Sequence, residues 1–527
     1  MSYRNDNDAL TVMDWFCGAG GSSQGAHAVP GLTVARAANH WERAIESHAV
    51  NFPDADHYRG DIRKAPVWAW PVTDIFWASP ECTNWSVAKG KKRDFANAMQ
   101  GDLLDLYAEM EREKFEADDE GGPSLEEESR ALMEEVPLYL RGVISRGGLV
   151  KAGIVENVVD VRQWDQWDRW IGEIHKMGYR TRIIALNSMH ADPRSVHRAP
   201  QSRDRLYVGY WHESLGRTPD WDKWLRPRAW CPTCDQWVQA VQTFKRPGVD
   251  MGRYRQQYVY RCPHTACRNS IVEPEALPAL AAVDWSIPGQ RIGDKPLKEF
   301  FSDKAKTTSL GFHPLAPKTL ARIQAGLAKF AQPLNDGRLA VPPLMVPVEG
   351  RDGKEAGSAH VPLRTQTARN ETGLAWMPFV AELRGGGSVA RSVSEALATV
   401  CASGNHHGLV TPDVISEHML IPYYGASTAR PVTQPVGALT TRDRYALVHG
   451  QPAIEDVRFR MLEPHEIGRA MSFADDYTVL GSKRERVRQY GNAVTPNAAE
   501  VLLCALVEAI TGETLDRHAT PELAVAA

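Results

Sequence analysis

The chain reads as an α/β protein, with a doubly wound, Rossmann-like core, a large β-rich domain after it and a short helical return at the C-terminal end. Three observations predict this. From Thr11 to about Trp211 short apolar runs (LTVMDWF, TDIFWAS, GIVENVV, RIIALN) alternate with helix-like stretches, the rhythm of a parallel sheet covered on both faces. From about His212 to Glu455 the texture changes to Pro, Gly, Thr and Arg with short β-like runs, as in an irregular recognition module. After Arg458 ordinary helices return in EPHEIGRAMSF and NAAEVLLCALVEAI, which can dock on the first part and close it. The expected domains are 1–211, 212–455 and a segment 456–527 that completes the first.

Bulk properties narrow the function classes. A length of 527 residues with 43% apolar content allows a large core and more than one domain. The formal net charge of −4 gives no overall basic field, so nucleic acid would have to be met by local clusters of Lys and Arg. No apolar signal core opens the chain and no apolar run reaches the roughly 20 residues that cross a bilayer. An intracellular, cytoplasmic protein without a membrane partner is expected. Eight cysteines are too sparse for a disulfide scaffold.

Taken in order, four segments of the first domain carry candidate chemistry. Val12-Met-Asp-Trp-Phe-Cys-Gly-Ala-Gly-Gly-Ser-Ser runs a strand into a glycine turn where a ligand can approach backbone at a helix start. Such turns are plain tight turns equally often, and the spacing is not G-x-G-x-x-G. Trp77-Ala-Ser-Pro-Glu-Cys-Thr-Asn-Trp-Ser places the Cys82 thiol just past a strand, at the carboxyl edge where α/β enzymes keep their sites. A lone cysteine is more often a small core hydrophobe. Gly153-Ile-Val-Glu-Asn-Val ends a buried strand on Glu156 and Asn157, an awkward place for a carboxylate without a proton or ligand to hold. Pro200-Gln-Ser-Arg-Asp-Arg-Leu-Tyr-Val-Gly puts Arg203 and Arg205 at the start of another strand, where either could also pair with surface acids. The acidic insertion between Asp94 and Glu135 reads as a solvated loop flanking a helix.

Within the β-rich region, Cys231-Pro-Thr-Cys234 and Cys262-Pro-His-Thr-Ala-Cys267 form a ribbon-like pair of knuckles, at about 228–272, whose four thiolates suit a closed, structural Zn²⁺ site. His264 is an alternative ligand. The interleaved Phe244, Lys245, Arg246, Arg253, Tyr254, Arg255 and Tyr258 suit contact with phosphates and bases, although a protein-contact surface has the same composition. A loose internal repeat, FVAELRGGGSVARSVSEALATV from Phe379 and MLIPYYGASTARPVTQPVGALT from Met419, points to a duplicated β unit.

Those four segments, followed by RFRMLEPHEIGRAMSF and QYGNAVTPNAAE, resemble the motif series of the DNA cytosine-5 methyltransferases. The resemblance covers roughly the first 210 and the last 70 residues. It implies a methyltransferase core using S-adenosylmethionine, in which Cys82 adds to carbon 6 of a flipped cytosine, Glu156 protonates ring nitrogen 3, Arg205 contacts the base carbonyl and Arg203 supports the loop or a phosphate. For the cofactor it implies Asp14, Phe16, Gly18, Gly20 and Gly21 in the first motif, Asp61 and Ile62 at the adenine edge, Pro80, and Asn492 and Val494 in the last motif. Two positions depart from the family. Glu81 and Thr83 flank Cys82 where Pro and Gln are usual, and Glu81 could raise the thiol pKa. Asn39, followed by His40, stands where an acid normally holds the cofactor ribose.

The implied function is methylation of double-stranded DNA by a monomer. An RNA cytosine-5 methyltransferase and a catalytically silent zinc-dependent DNA-binding protein are the alternatives. A restriction enzyme, a downstream base-modifying enzyme and a nucleoid or viral setting are compatible with the resemblance.

Overall fold

In the computed structural model of the chain, the described residues are 9–80, 125–287, 289–294 and 457–517, together with the helix 317–330, the stretches 344–348 and 353–376, and isolated strands between 300 and 449. Glu81, Cys82, Thr83 and the acidic stretch ahead of residue 125, expected to be a solvated loop, lie outside the described residues. Two compact units are present: Met1–Ala276 with Met471–Glu485 and Asn492–Glu522, and a second made chiefly of Leu277–Ala470.

The first unit is built on a seven-stranded sheet of β1 (Leu10–Trp15), β2 (Leu32–Asn39), β3 (Asp56–Arg59), β4 (Ile75–Ala78), β5 (Ala152–Asn157), β6 (Tyr179–Asn187) and β7 (Asp204–His212), in the order β3-β2-β1-β4-β5-β7-β6. Its pairs are parallel except those of β7, which runs against β5 and β6. The expected doubly wound α/β core is therefore found. Alternation along β1 shows why both faces are covered: Leu10 and Val12 join one apolar core and Met13 and Trp15 the other. On the first face lie α1 (Gly21–His27) and the C-terminal helix Pro496–Thr511, and on the second Leu125–Ser145 and Trp167–Lys176.

Helix Pro496–Thr511 is apolar nearly all round because it is a core helix, with Thr495 before it, Pro496 in its first turn and Gly512 ending it in the left-handed region. It lies so close to α1 that a Cβ on Gly25 would stand 2.5 Å from the Pro496 carbonyl. Its buried Glu500 accepts backbone amides from Arg194, Ser195 and Val196 and the Ser195 hydroxyl, which fixes the connection between β6 and β7.

The cysteine-bearing segment packs on this first unit. Hairpin β8–β9 (Arg228–Cys231, Gln236–Gln239) and the sheet of β10–β12 (Val241–Phe244, Tyr258–Arg261, Ile271–Val272) share one apolar core with Leu206, Val208 and Met189. In the second unit a five-stranded sheet runs in the order Gln290–Arg291, Arg458–Met461, Thr372–Trp376, Leu344–Pro347, Gly357–Ser358. Each half of the internal repeat makes a three-stranded antiparallel sheet with its first strand in the middle, Phe379–Glu382 between Ala390–Ser392 and His407–Val410, and His418–Pro422 between Arg430–Pro431 and Tyr445–His449.

Candidate active site

The carboxyl ends of β1, β4 and β5 and the start of β7 meet at one edge of the sheet. Glu156 and Asn157 end β5 there, both buried, with Glu156 opposite Tyr207 of β7. Arg205, two residues before Tyr207, brings its Nε to 3.0 Å from Glu156 Oε1. Burial pushes the Glu156 carboxyl above its ordinary value, and Arg205, Arg203 and the Ser79 hydroxyl oppose that shift. The protonated form is therefore favoured more than in water.

The chain leading to Cys82 is tied to the same carboxylate. Ser79 donates its amide to the Trp15 carbonyl at 3.1 Å and hydrogen-bonds Glu156, while Asn157 Nδ2 donates to the Pro80 carbonyl at 3.3 Å. Ser79 was not singled out by sequence reasoning; its position three residues ahead of the thiol is the signal that could have found it. Arg203 is almost fully buried, and its guanidinium donates to the Ala493 carbonyl at 3.0 Å while its amide donates to Asn187 Oδ1. It thereby ties the start of β7 to the end of β6 and to Ala493.

The glycine turn separates into two kinds of glycine. A Cβ on Gly18, at φ 54°, would meet only the Phe16 carbonyl at 4.0 Å, so backbone is open to a ligand there. On Gly20, at φ 91°, it would lie 2.4 Å from the Tyr477 hydroxyl, and on Gly21 it would lie 1.9 Å from the Val494 carbonyl oxygen. Packing explains those two. Phe16 itself sits at φ 61°, a conformation that costs a side-chain-bearing residue of order 1 kcal/mol and turns the strand away from the sheet. Gly21→Ala is expected to destabilise the first unit by about 2 kcal/mol, because the clash is with backbone and cannot be relieved by a rotamer. Thermal melting checks this: the first transition should fall by roughly 4–8 °C.

Asp14 is buried behind the turn, accepts the Ser22 and Ser23 hydroxyls at 2.5 and 2.6 Å on Oδ2, and is pushed by burial up to about 6 against those bonds. Its Oδ1 is a buried polar atom without a partner among the described residues. An open glycine and an orphaned acceptor beside it fit a polar cofactor. The remaining cofactor candidates sit in local structure of their own. Asn39 Oδ1 accepts the Trp41 amide at 2.9 Å, His40 is exposed, and Asp61 takes the Arg63 amide and guanidinium. Burial would raise Asp61, but Arg63 holds it below the usual carboxylate range. Ile62 and Val494 are buried and Asn492 is exposed.

The four cysteines converge, with all sulfurs within 4.8 Å of one another, Cys231 to Cys267 and Cys234 to Cys262 each 3.9 Å apart. A tetrahedron with metal–sulfur bonds of about 2.3 Å needs sulfurs about 3.8 Å apart, so the donor set fits zinc. The His264 ring, 3.7 Å from the Cys262 sulfur, also lies 3.2 Å from Gln236 Nε2. Tyr254 and Tyr258 differ from the expectation of surface contact. Both are buried, the Tyr254 amide and the Tyr258 hydroxyl meeting Asp204 at 3.0 and 3.2 Å, between the two arginines of the fourth segment. Arg253 pairs with Asp160 and Asp250 with Arg162, in the turn that follows Glu156. The cysteine ribbon is thereby fastened to both stretches that carry the ion pair.

No curated protein matches the chain. Among solved structures, Spodoptera frugiperda DNMT2 is similar at 12% identity and a TM-score of 0.41 over 95% of this chain and 100% of that one. Entamoeba histolytica methyltransferase EhMeth is similar at 11% and 0.40, over 96% and 98%. S. pombe Dnmt2 is similar at 10% and 0.40, over 95% and 99%. The model of the C-5 cytosine-specific DNA methylases matches residues 10–114 and 396–508. That match includes the glycine turn, Cys82 and the Asn492–Val494 segment, and it leaves Glu156, Arg203, Arg205 and the four cysteines to be argued from geometry. With the motif order, this match makes the chain similar to the C-5 cytosine-specific DNA methylases over those two stretches.

Proposed function

We propose that this cytosine-5 methyltransferase acts on double-stranded DNA, as an intracellular monomer, through a covalent adduct of Cys82. The observation that supports the reading is the tie between Ser79–Pro80 and Glu156–Asn157, which brings the residues that lead to Cys82 to a buried carboxyl that burial raises above its ordinary pKa. The Cys82 thiolate adds to carbon 6 of a flipped cytosine while Glu156 gives its proton to ring nitrogen 3, so that negative charge does not build up on the base. Arg205, held by Glu156 at the site, donates to the base carbonyl. S-adenosylmethionine, when bound, supplies the methyl group. Loss of the carbon 5 proton to solvent water then expels the thiolate, and the nitrogen proton returns to Glu156. Asp14 and Gly18 are the residues best placed to meet the cofactor, and Asp61, Ile62, Asn39, His40, Phe16, Pro80, Asn492 and Val494 complete the proposed set with Gly20 and Gly21 shaping the turn.

Trapping on a 5-fluorocytosine duplex tests this, because fluorine in place of the departing proton freezes the adduct. A covalent complex with duplex DNA and none with RNA of the same sequence is expected, whereas trapping on RNA alone would overturn the DNA reading. A catalytically silent DNA-binding protein is disfavoured by the buried Glu156 carboxyl of the pair with Arg205, which costs desolvation that a mere scaffold need not bear.

Cys231, Cys234, Cys262 and Cys267 are proposed to hold a structural Zn²⁺. Purified protein is expected to contain about one zinc per chain, and a strong chelator should lower its melting temperature, because the ribbon shares its core with the catalytic sheet. Metal analysis that finds no zinc in freshly purified, reduced protein would remove this assignment.

A further inference from the structure

Hairpin β8–β9 has one face turned in and one turned out. Ala229, Cys231 and Val238 face the core and the sulfur cluster, while Arg228, Trp230, Trp237 and Gln239 face water. Trp230 and Trp237 are register partners, their rings 5.5 Å apart at 70°, and they stay 41% and 44% exposed. The Arg228 guanidinium lies 4.1 Å from the centre of the Trp237 ring, and among the described residues no carboxylate pairs with it. Two neighbouring half-exposed indoles are costly on a free surface and mark a contact site.

Charge indicates the partner. Residues 228–272 hold seven Lys and Arg against two Asp and Glu, in a chain whose formal net charge is −4. The Arg253–Asp160 and Arg255–Glu273 pairs and four thiolates around a divalent zinc would offset most of that surplus, which leaves Arg228 on the exposed face as the cation that no carboxylate among the described residues neutralises. A basic module on an acidic chain, with an arginine spread over an exposed indole, matches a polyanion carrying flat rings and not an acidic or neutral protein surface.

We propose that the Arg228–Trp230–Trp237 face is a DNA-contact surface, the indoles packing on sugars or exposed bases and Arg228 meeting a phosphate. It is an addition to the site of methyl transfer and rests on the reading of duplex DNA as substrate. The face is presented by a ribbon anchored through Asp204, Asp160 and Arg162 to the stretches that carry Arg205 and Glu156, so DNA held there is held by the same rigid unit that performs the chemistry.

The test uses the full chain with its metal and a fluorescent duplex of about 30 base pairs, over a salt series. W230A/W237A should weaken binding at least tenfold, the loss expected of one to two stacking contacts. R228Q should lower the slope of log affinity against log salt by about one. Because these side chains point away from the core, metal content and melting temperature should match the parent, which separates a lost contact from a lost fold. Binding within twofold of the parent by W230A/W237A would overturn the proposal, as would a protein partner that copurifies stoichiometrically with the parent and is lost from W230A/W237A while DNA affinity is unchanged. Adduct trapping on the parent is a separate readout: a parent that traps duplex DNA while W230A/W237A binds normally leaves the substrate reading standing and this surface refuted.

Discussion

Cys82→Ser is expected to show no measurable methyl transfer and no trapped adduct on a 5-fluorocytosine duplex, while binding cofactor and DNA nearly as the parent does. A hydroxyl and a thiol differ little in size, so the variant isolates chemistry from packing. The alcohol keeps its proton throughout the working pH range, whereas a thiol near its ordinary pKa of about 8.5 is ionised in part and is intrinsically the better nucleophile. The segment that leads to residue 82 is held by Trp15, Glu156 and Asn157, none of which the change touches. Cofactor binding by titration calorimetry is the control for folding. Methylation by Cys82→Ser at even a hundredth of the parent rate would remove Cys82 from the role of nucleophile.

What the sequence revealed and what it hid follow from one distinction. Strands β1, β4, β5 and β7 were legible because each contains a short apolar run bounded by polar or turn residues, and period and punctuation are local properties. The convergence of Glu156 and Arg205 was legible only as two separate oddities, a carboxylate ending a buried strand and an arginine opening one; their 3.0 Å contact depends on β7 inserting antiparallel beside β5. The docking of the ribbon was not legible. Tyr254 and Tyr258, interleaved with Arg253 and Arg255, have the composition of a nucleic-acid surface, yet a tyrosine that satisfies its hydroxyl on Asp204 is equally suited to a core. The outward-facing Trp230 and Trp237 were passed over for the same reason, since which face of a two-stranded hairpin meets solvent is set by its partner and not by its own residues. Gly21 was read as a ligand cradle, although its requirement comes from the Val494 carbonyl, more than 470 residues away in the chain.

Glu156→Gln is expected to slow methyl transfer roughly a hundredfold or more, the usual worth of a positioned acid, with duplex binding retained. The amide keeps the size of the side chain and one acceptor for Arg205, but has no proton of suitable acidity for ring nitrogen 3. It also leaves a half-buried guanidinium without its counter-charge, so a lower melting temperature is expected and the comparison belongs below both melting points. The pH profile separates a proton donor from a structural prop. In the parent, rate should rise with pH as the thiol ionises and fall again as Glu156, raised by burial, loses the proton it must give. Glu156→Gln should lose that alkaline fall, because its side chain no longer titrates. Arg205→Ala should keep the fall and shift it to higher pH, since the arginine opposes the rise of the Glu156 carboxyl and its removal lets burial act unopposed. An alkaline limb that stays in place in both variants would assign it to another group, and rates equal to the parent in Glu156→Gln would make Glu156 a structural partner of Arg205 alone.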